Sequence, residues 1–200
     1  MNGACSRAVT PADLRFMDAA LACAFNVLGA TSPNPAVGCV IVKNNRVLAS
    51  AATAPSGRPH AETQALDIAG EAARGASIYV TLEPCAHHGK TPPCAEALVA
   101  AGPAEVIIAC RDPFAQVNGR GTAILRQAGV KVIEGVRLAE AEALNAGFFR
   151  TVRDGRALKV EDSRPALADA DIALATGEDE DAALARAASK GLTRVRFIAG

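Results

Sequence analysis

The chain has 200 residues, 50% of them hydrophobic, and its 21 lysines and arginines balance 21 aspartates and glutamates. A chain of this size closes one substantial core, and zero formal charge excludes a general electrostatic attraction for nucleic acids or anionic membranes. No apolar stretch approaches the roughly 20 residues that cross a bilayer, and the N-terminus lacks the pattern of a secretory signal. We therefore predict a cytoplasmic protein with a small-molecule partner, and with no nucleic-acid or membrane partner.

The first predicted elements are a helix and a hairpin. Thr10 and Asp13 supply a cap and an early carboxylate for a helix that we expect to end at Gly29. The strand patterns VGCVIV and RVLASA then flank Asn44 and Asn45. Because asparagine tolerates the left-handed conformation of tight turns, this arrangement predicts two antiparallel strands.

Helical and strand patterns alternate in the middle of the chain. HAETQALDIAGEAA, AEALVAAG, TAILRQAG and LAEAEALNAGFF each predict a helix, whereas SIYVTL, EVIIAC and VKVIEG predict strands. Such alternation is typical of a sheet that is covered by helices. The predicted fold is a three-layer α/β/α sandwich with a mixed sheet.

The composition changes near Arg156, where glycine, proline and scattered charges interrupt the pattern. We place a main domain over residues 1–155 and a short α/β tail over residues 156–200, with the strands IALAT and VRFIA around the helix EDEDAALARAAS. A tail of this length is below the roughly 70 to 80 residues at which a core becomes self-supporting, so it should pack on the main domain or on another chain.

The six cysteines are too sparse for a disulfide scaffold and predict reduced thiols or metal ligands. Cys23, Cys39 and Cys110 lie in apolar runs, which is typical of small buried hydrophobic residues. Cys85 and Cys94 lie among turn residues instead. These two are the candidates for chemistry.

His60, Cys85 and Cys94 form the predicted metal site. His60 begins a predicted helix, Cys85 directly follows a strand, and Cys94 opens the next helix, so the loop between the two thiols can fold back on itself. One imidazole and two thiolates are a zinc ligand set that leaves the fourth tetrahedral position for water, as in catalytic zinc sites. His87 or His88 as a further ligand would fill that position, so we interpret both as pocket residues, with a solvated loop histidine as the alternative for His88.

Glu62 is the predicted proton shuttle. Zinc lowers the pKa of bound water to about 7, and a carboxylate two residues beyond His60 can move protons without binding the metal. The zinc-deaminase signature is H-x-E followed by P-C-x-x-C, and here HAE precedes a Pro-Cys pair whose spacer to the second cysteine is lengthened. Each motif alone is weak, but together they predict a zinc-dependent deaminase.

The segments TSPNPAVGCVIV, GRPHAE, LEPCAHHGKTPPC, AGPAEVIIACRDP, NGRG and LNAGFF strongly resemble the deaminase of riboflavin biosynthesis, a branch of the cytidine-deaminase-like fold. The resemblance implies hydrolysis of the ring amine of a diamino-ribosylamino-pyrimidinone phosphate, and a homodimer or homotetramer. It also implies that Asn34 and His87 contact the substrate and that Lys90 faces its phosphate.

Two features depart from this family. A glycine and then a histidine usually precede the zinc histidine, the latter by seven residues, but Ala51 and Thr53 occupy these positions here. Many members also continue into a reductase domain that uses NADPH, whereas the tail resembles only one αβ piece of it. We predict no reductase activity, and interpret the tail as a relic of that domain, a dimerisation element or one end of an unusual polypeptide.

Two other functions compete with this interpretation. A deaminase of another nucleobase, a nucleoside or an RNA base would carry the short cysteine spacer and, for RNA, a basic surface, and neither is present. A catalytically inactive zinc-binding partner of a separate reductase would need neither an open ligand position nor Glu62. Both features favour the enzyme.

Overall fold

The structure is a computed structural model that describes residues 7–87, 92–114, 118–162 and 164–198. Its larger sheet consists of β1 (Gly38–Lys43), β2 (Arg46–Ala52), β3 (Ser77–Leu82), β4 (Glu105–Cys110) and β5 (Lys131–Glu134). The strand order is β2-β1-β3-β4-β5. Strand β1 pairs antiparallel with β2 and β3, whereas β3, β4 and β5 run parallel, so the predicted mixed sheet is confirmed.

Helices pack on both faces of this sheet. They are α1 (Pro11–Phe25), α2 (Ala61–Ala69), α3 (Cys94–Ala101), α4 (Arg120–Gln127), α5 (Leu138–Leu144) and α6 (Ala146–Asp154). Helices α1 and α5 contact each other, and α2, α3 and α4 contact one another in turn. The result is the predicted three-layer sandwich. In the ranges described, no helix has both the length and the apolar character needed to cross a membrane.

Helix α1 begins as predicted and ends earlier. The Thr10 side chain accepts from the Asp13 N–H while the Asp13 carboxylate accepts from the Thr10 N–H, which is a capping box. The helix ends at Phe25, so the prediction that it extends to Gly29 was wrong. Gly29 has a φ of 77° and lies in the following turn, because the chain there passes close to the C-terminal residues.

The hairpin prediction is confirmed, since Asn44 and Asn45 join β1 to β2 with φ values of 51° and 61°. Two helices predicted to be continuous are interrupted. The first ends at Ala69 and continues as a 3₁₀ turn from Gly70. The second divides at Asn145, whose buried amide accepts from the Ala36 N–H and donates to the Ala36 C=O, both at 3.0 Å. These bonds join the α5–α6 corner to the segment before β1.

The C-terminal residues form a second, parallel sheet. It contains β6 (Leu158–Lys159), β7 (Ala170–Ile172) and β8 (Arg194–Phe197) in the order β6-β8-β7, with α7 (Glu180–Ser189) between β7 and β8. Its small core holds Ala157, Leu184, Ala187 and Val195. The sequence did not predict β6, because two residues leave no periodic pattern and this strand forms only where β8 lies beside it.

The main core lies between the larger sheet and its two helical layers. Its fully buried large side chains include Met17, Ile41, Ile78, Leu98 and Ile107. The predicted burial of Cys39 and Cys110 is confirmed, whereas Cys23 is only half-buried. Burial of this apolar surface is the main favourable term in the folding free energy.

A charged network joins the N-terminal segment to the sheet. Asp13 is 1% exposed and accepts from Arg7 at 2.6 and 2.8 Å, while Tyr79 donates to it at 3.0 Å. Arg7 also bonds Glu105 on β4. The hydrogen bond from Arg7 is the largest cause that holds the pKa of Asp13 far below its usual value, against the opposing effect of burial.

Arg7→Ala should destabilise the fold in a pH-dependent way. The native pKa of Asp13 is depressed, so its pairing stabilises the fold above the unfolded pKa of about 3.9 and is lost as pH falls toward the native pKa. We expect urea unfolding to show that the free energy of unfolding falls by about 1–2 kcal/mol at pH 7. This is low in the range for charged hydrogen bonds, because the Arg7 side chain is 38% exposed to solvent. The loss should shrink below pH 4. Arg46→Ala, an exposed control, should change little, and a pH-independent loss would contradict the assignment.

Candidate zinc site

The three predicted ligands meet at one edge of the larger sheet. His60 caps the N-terminus of α2, Cys94 is the first residue of α3, and Cys85 lies just beyond the end of β3. Their ligand atoms all lie within 4.8 Å of one another. The Ala95 N–H donates to the Cys85 C=O at 3.2 Å, so the two ends of the cysteine loop meet as the sequence predicts.

The ligand distances and chemistry fit zinc. His60 Nδ1 lies 3.2 Å from Cys94 Sγ and 3.7 Å from Cys85 Sγ. Tetrahedral zinc with ordinary Zn–N and Zn–S bonds separates such atoms by about 3.5 Å. Among the described residues, no other histidine, cysteine or carboxylate belongs to this group. Three protein ligands, one imidazole and two thiolates, are a donor set of catalytic zinc ions.

The pKa values of the two thiols are shifted in opposite directions. The hydrogen bond from Cys94 lowers the pKa of Cys85 to about 4, helped by His60. The same bond raises the pKa of Cys94 well above its usual value. We assign the thiolate to Cys85, because its sulfur also accepts the Cys94 backbone N–H at 3.2 Å. The bond to Cys85 likewise raises the pKa of His60.

Glu62 lies in the first turn of α2 and is 4% exposed. Burial is the main cause that raises the pKa of its carboxyl group, while the nearby His60 opposes this shift. Glu62 lines the same cavity as His60 and Cys85 but is outside the ligand group. The structure therefore places a buried carboxylate beside the ligands.

The cavity beside this group has a volume of about 270 Å³. Asn34 and His87, two of the predicted substrate contacts, line it. The third, Lys90, and also His88 lie outside the described residues. Thr53 is a lining residue too, and its hydroxyl accepts from the Val37 N–H at 3.0 Å and donates to the Val37 C=O at 3.4 Å. The backbone just before β1 therefore occupies the hydrogen-bonding capacity of this hydroxyl.

Several lining residues were not predicted from the sequence; they are Arg58, Glu83, Asp112, Phe114, Phe148 and Val152. For Glu83, Asp112 and Phe114, the sequence signal that could have revealed them is that they follow two strands which lie side by side. Leu82 on β3 pairs with Cys110 on the parallel β4, so residues that follow these two strands emerge at one sheet edge, where α/β folds bind ligands. Burial raises the pKa of Asp112 to about 6. Glu83 accepts from the Gly119 and Thr122 N–H groups and holds the start of α4.

This fold, with a His-Cys-Cys group and a carboxylate at the start of one helix, defines the class of zinc-dependent deaminases with a cytidine-deaminase-like fold. Residues 10–110 match the family model of the cytidine and deoxycytidylate deaminase zinc-binding region, and the chain belongs to this family. Zinc is accordingly the cofactor that the site fits.

Several similar proteins are named for riboflavin biosynthesis. The diaminohydroxyphosphoribosylamino-pyrimidine deaminase of Buchnera aphidicola subsp. Schizaphis graminum is 46% identical over 125 residues, which cover 62% of this chain and 85% of the relative. The riboflavin biosynthesis protein RibD of Escherichia coli is 54% identical over 62% of this chain and 34% of its own length. Acinetobacter baumannii RibD has a TM-score of 0.72 at 42% identity, over 83% of this chain and 44% of its own. The chain thus spans a third to a half of the RibD proteins.

Proposed function

We propose that the protein catalyses zinc-dependent hydrolytic deamination of 2,5-diamino-6-ribosylamino-pyrimidinone 5'-phosphate in riboflavin biosynthesis. The observation that carries this proposal is the buried Glu62 carboxylate beside the three-residue ligand group, within one cavity. Similarity to the Buchnera deaminase over 85% of that protein's length supports the substrate. In the reaction water replaces the ring amine, so the products are ammonia and a uracil-type ring.

We assign His60, Cys85 and Cys94 as the zinc ligands and Glu62 as the catalytic residue. Bound zinc supplies Lewis-acid activation of water at neutral pH. A Glu62 carboxylate oxygen would take one proton from the attacking water and pass it to the ring nitrogen. It would then take the remaining proton of that oxygen and pass it to the departing amine. The raised pKa of Glu62 suits this work, because a shuttle must both accept and release a proton near neutrality.

Asn34 and His87 are the proposed substrate contacts at the cavity wall, and Phe148 adds an apolar surface. Lys90 is the proposed partner of the substrate phosphate, since its ammonium is a point charge with three donors. We also propose that residues 1–155 form the deaminase domain and residues 156–200 a short α/β tail. A cytoplasmic homodimer or homotetramer completes the proposal, with sedimentation as the test of its assembly.

Ammonia release by the zinc-loaded protein tests the function. The substrates are the phosphorylated diaminopyrimidinone, its dephosphorylated form, cytidine and guanine, with NADPH oxidation followed in parallel. We expect efficient turnover only of the phosphorylated compound, with no NADPH oxidation. Preferred turnover of cytidine or guanine would favour a deaminase of another base, and no turnover would favour an inactive zinc-binding partner.

Lys90→Ala tests the phosphate contact separately. Loss of one charge-assisted hydrogen bond should raise KM for the phosphorylated substrate about 10- to 100-fold. The dephosphorylated compound should show no such change. Lys131→Ala removes an exposed lysine of β5 and serves as the matched control. Equal effects of Lys90→Ala on both substrates would contradict the assignment.

A further inference from the structure

The C-terminal unit, residues 157–162 and 164–198, contacts a turn at the substrate cavity. The Ser32 hydroxyl donates to the Gly191 C=O, and a Cβ atom at Gly191 would lie 3.3 Å from Pro33 Cβ. The next residue along this turn is Asn34, which lines the cavity. The end of α7 therefore lies directly behind a wall of the candidate active site.

Two further glycines let the C-terminal unit approach the main domain closely. A Cβ atom at Gly29 would lie 2.6 Å from the Ala166 carbonyl oxygen, and one at Gly147 would lie 2.6 Å from the Thr193 carbonyl oxygen. Side chains essentially never approach backbone so closely, so neither position has room for a methyl group. Gly147 belongs to α6, whose Phe148 and Val152 line the cavity. The unit thus supports two of its walls.

The contacts continue from this turn toward a zinc ligand. The Asn34 N–H donates to the Thr31 C=O at 3.0 Å, which closes the turn, and the Ser56 N–H donates to the Ala30 C=O at 2.9 Å. A Cβ atom at Gly57 would lie only 2.0 Å from Asn34 Nδ2. The two turns are therefore packed against each other, and the second leads directly into His60.

We propose that the C-terminal unit is a positioning element of the substrate cavity, which holds the Ser32–Asn34 turn and α6 in the arrangement that binds substrate. Gly191 and Ser32 are the positioning residues of this seam. The inference rests on the proposed function, because the affinity that the C-terminal unit sets is the affinity for the substrate proposed above. It gives these C-terminal residues a role in the proposed deaminase.

Gly191→Leu, compared with Gly177→Leu, tests the proposal in the full chain. Both glycines lie in the C-terminal unit with φ values of 82° and 77°, but a Cβ atom at Gly177 has nothing within 4 Å. Backbone strain is therefore matched, and only the Gly191 variant displaces Pro33. We expect Gly191→Leu to raise KM about 10- to 100-fold with kcat within about threefold and zinc content unchanged, because small displacements of binding groups are costly.

A loss of active protein would lower kcat and leave KM unchanged, and that result would overturn the proposal. Equal KM values in the two glycine variants would overturn it as well. Ser32→Ala, which removes only the hydroxyl donor to Gly191, should raise KM in the same direction by about threefold, as expected for one neutral hydrogen bond. If Gly191→Leu does not fold, the KM of Ser32→Ala tests the proposal, and an unchanged KM in that variant would overturn it.

Amide hydrogen exchange tests the positioning without any substrate, so it stays decisive even if the proposed function fails. Gly191→Leu should speed exchange of the Asn34 N–H, whose bond closes the first turn, and of the Ser56 N–H, whose bond joins the two turns. Gly177→Leu should leave both at the wild-type rate. Unchanged exchange in Gly191→Leu would show that the C-terminal unit does not hold these turns.

Discussion

Glu62→Gln is expected to lower kcat for deamination by about 10²- to 10⁴-fold, the usual contribution of a general acid–base group. The amide has nearly the shape of the carboxylate but cannot accept and return a proton. Glu62 is not in the ligand group, so zinc content should remain at the wild-type level. Ammonia release and metal analysis on the same sample separate the two effects.

Asp67→Asn is the matched control, because it makes the same change from carboxylate to amide at an exposed position of α2. Its kcat should stay close to that of the wild type. Wild-type turnover in Glu62→Gln would sink the assignment of Glu62 as proton shuttle. Loss of zinc together with activity would instead place Glu62 among the groups that support the metal.

Cys94→Ser is expected to abolish tight zinc binding and, with it, activity. The change leaves only two strong protein ligands, whereas zinc sites in enzymes use three. After dialysis, the metal content should fall from about one zinc per chain to less than about a tenth. Melting temperature should fall as well, since metal that binds only the native state stabilises it.

Cys110→Ser controls for the loss of a buried thiol, because Cys110 lies outside the ligand group and its Sγ donates to the Thr81 C=O. This variant should keep its zinc. Cobalt substitution gives a second readout, in which sulfur-to-metal absorption should fall with the lost metal to less than about a tenth of the wild-type value in Cys94→Ser. Full zinc content in Cys94→Ser would show that Cys94 is not a ligand.

Zinc affinity should also increase with pH. Ligands bind the metal in their deprotonated forms, and the raised pKa values of Cys94 and His60 mean that zinc must displace protons from the metal-free site. Cys85 contributes less to this dependence, because its pKa of about 4 leaves it ionised near neutrality. Proton uptake on zinc binding would contradict this description of the ligand pair.

The sequence by itself determined those features whose causes are local. The capping box of Thr10 and Asp13 begins α1, and the asparagine pair closes the hairpin, because each acts within a few residues of backbone. The fold class follows from alternating helical and strand periodicity. The identity of the ligands was also predictable, because His60, Cys85 and Cys94 lie at helix starts and at the end of a strand and belong to a recognisable motif.

Tertiary structure alone decided where the helical pattern around Asn145 breaks and which residues surround the ligands. Asn145 interrupts a helical pattern because its amide bonds Ala36, more than a hundred residues away along the chain. Asp112 and Phe148 reach the cavity only because parallel strand pairing and α6 bring them there. Likewise, Gly191 lies behind the Asn34 turn through contacts between distant segments. Such pairings depend on the packing of whole layers, which no local pattern records.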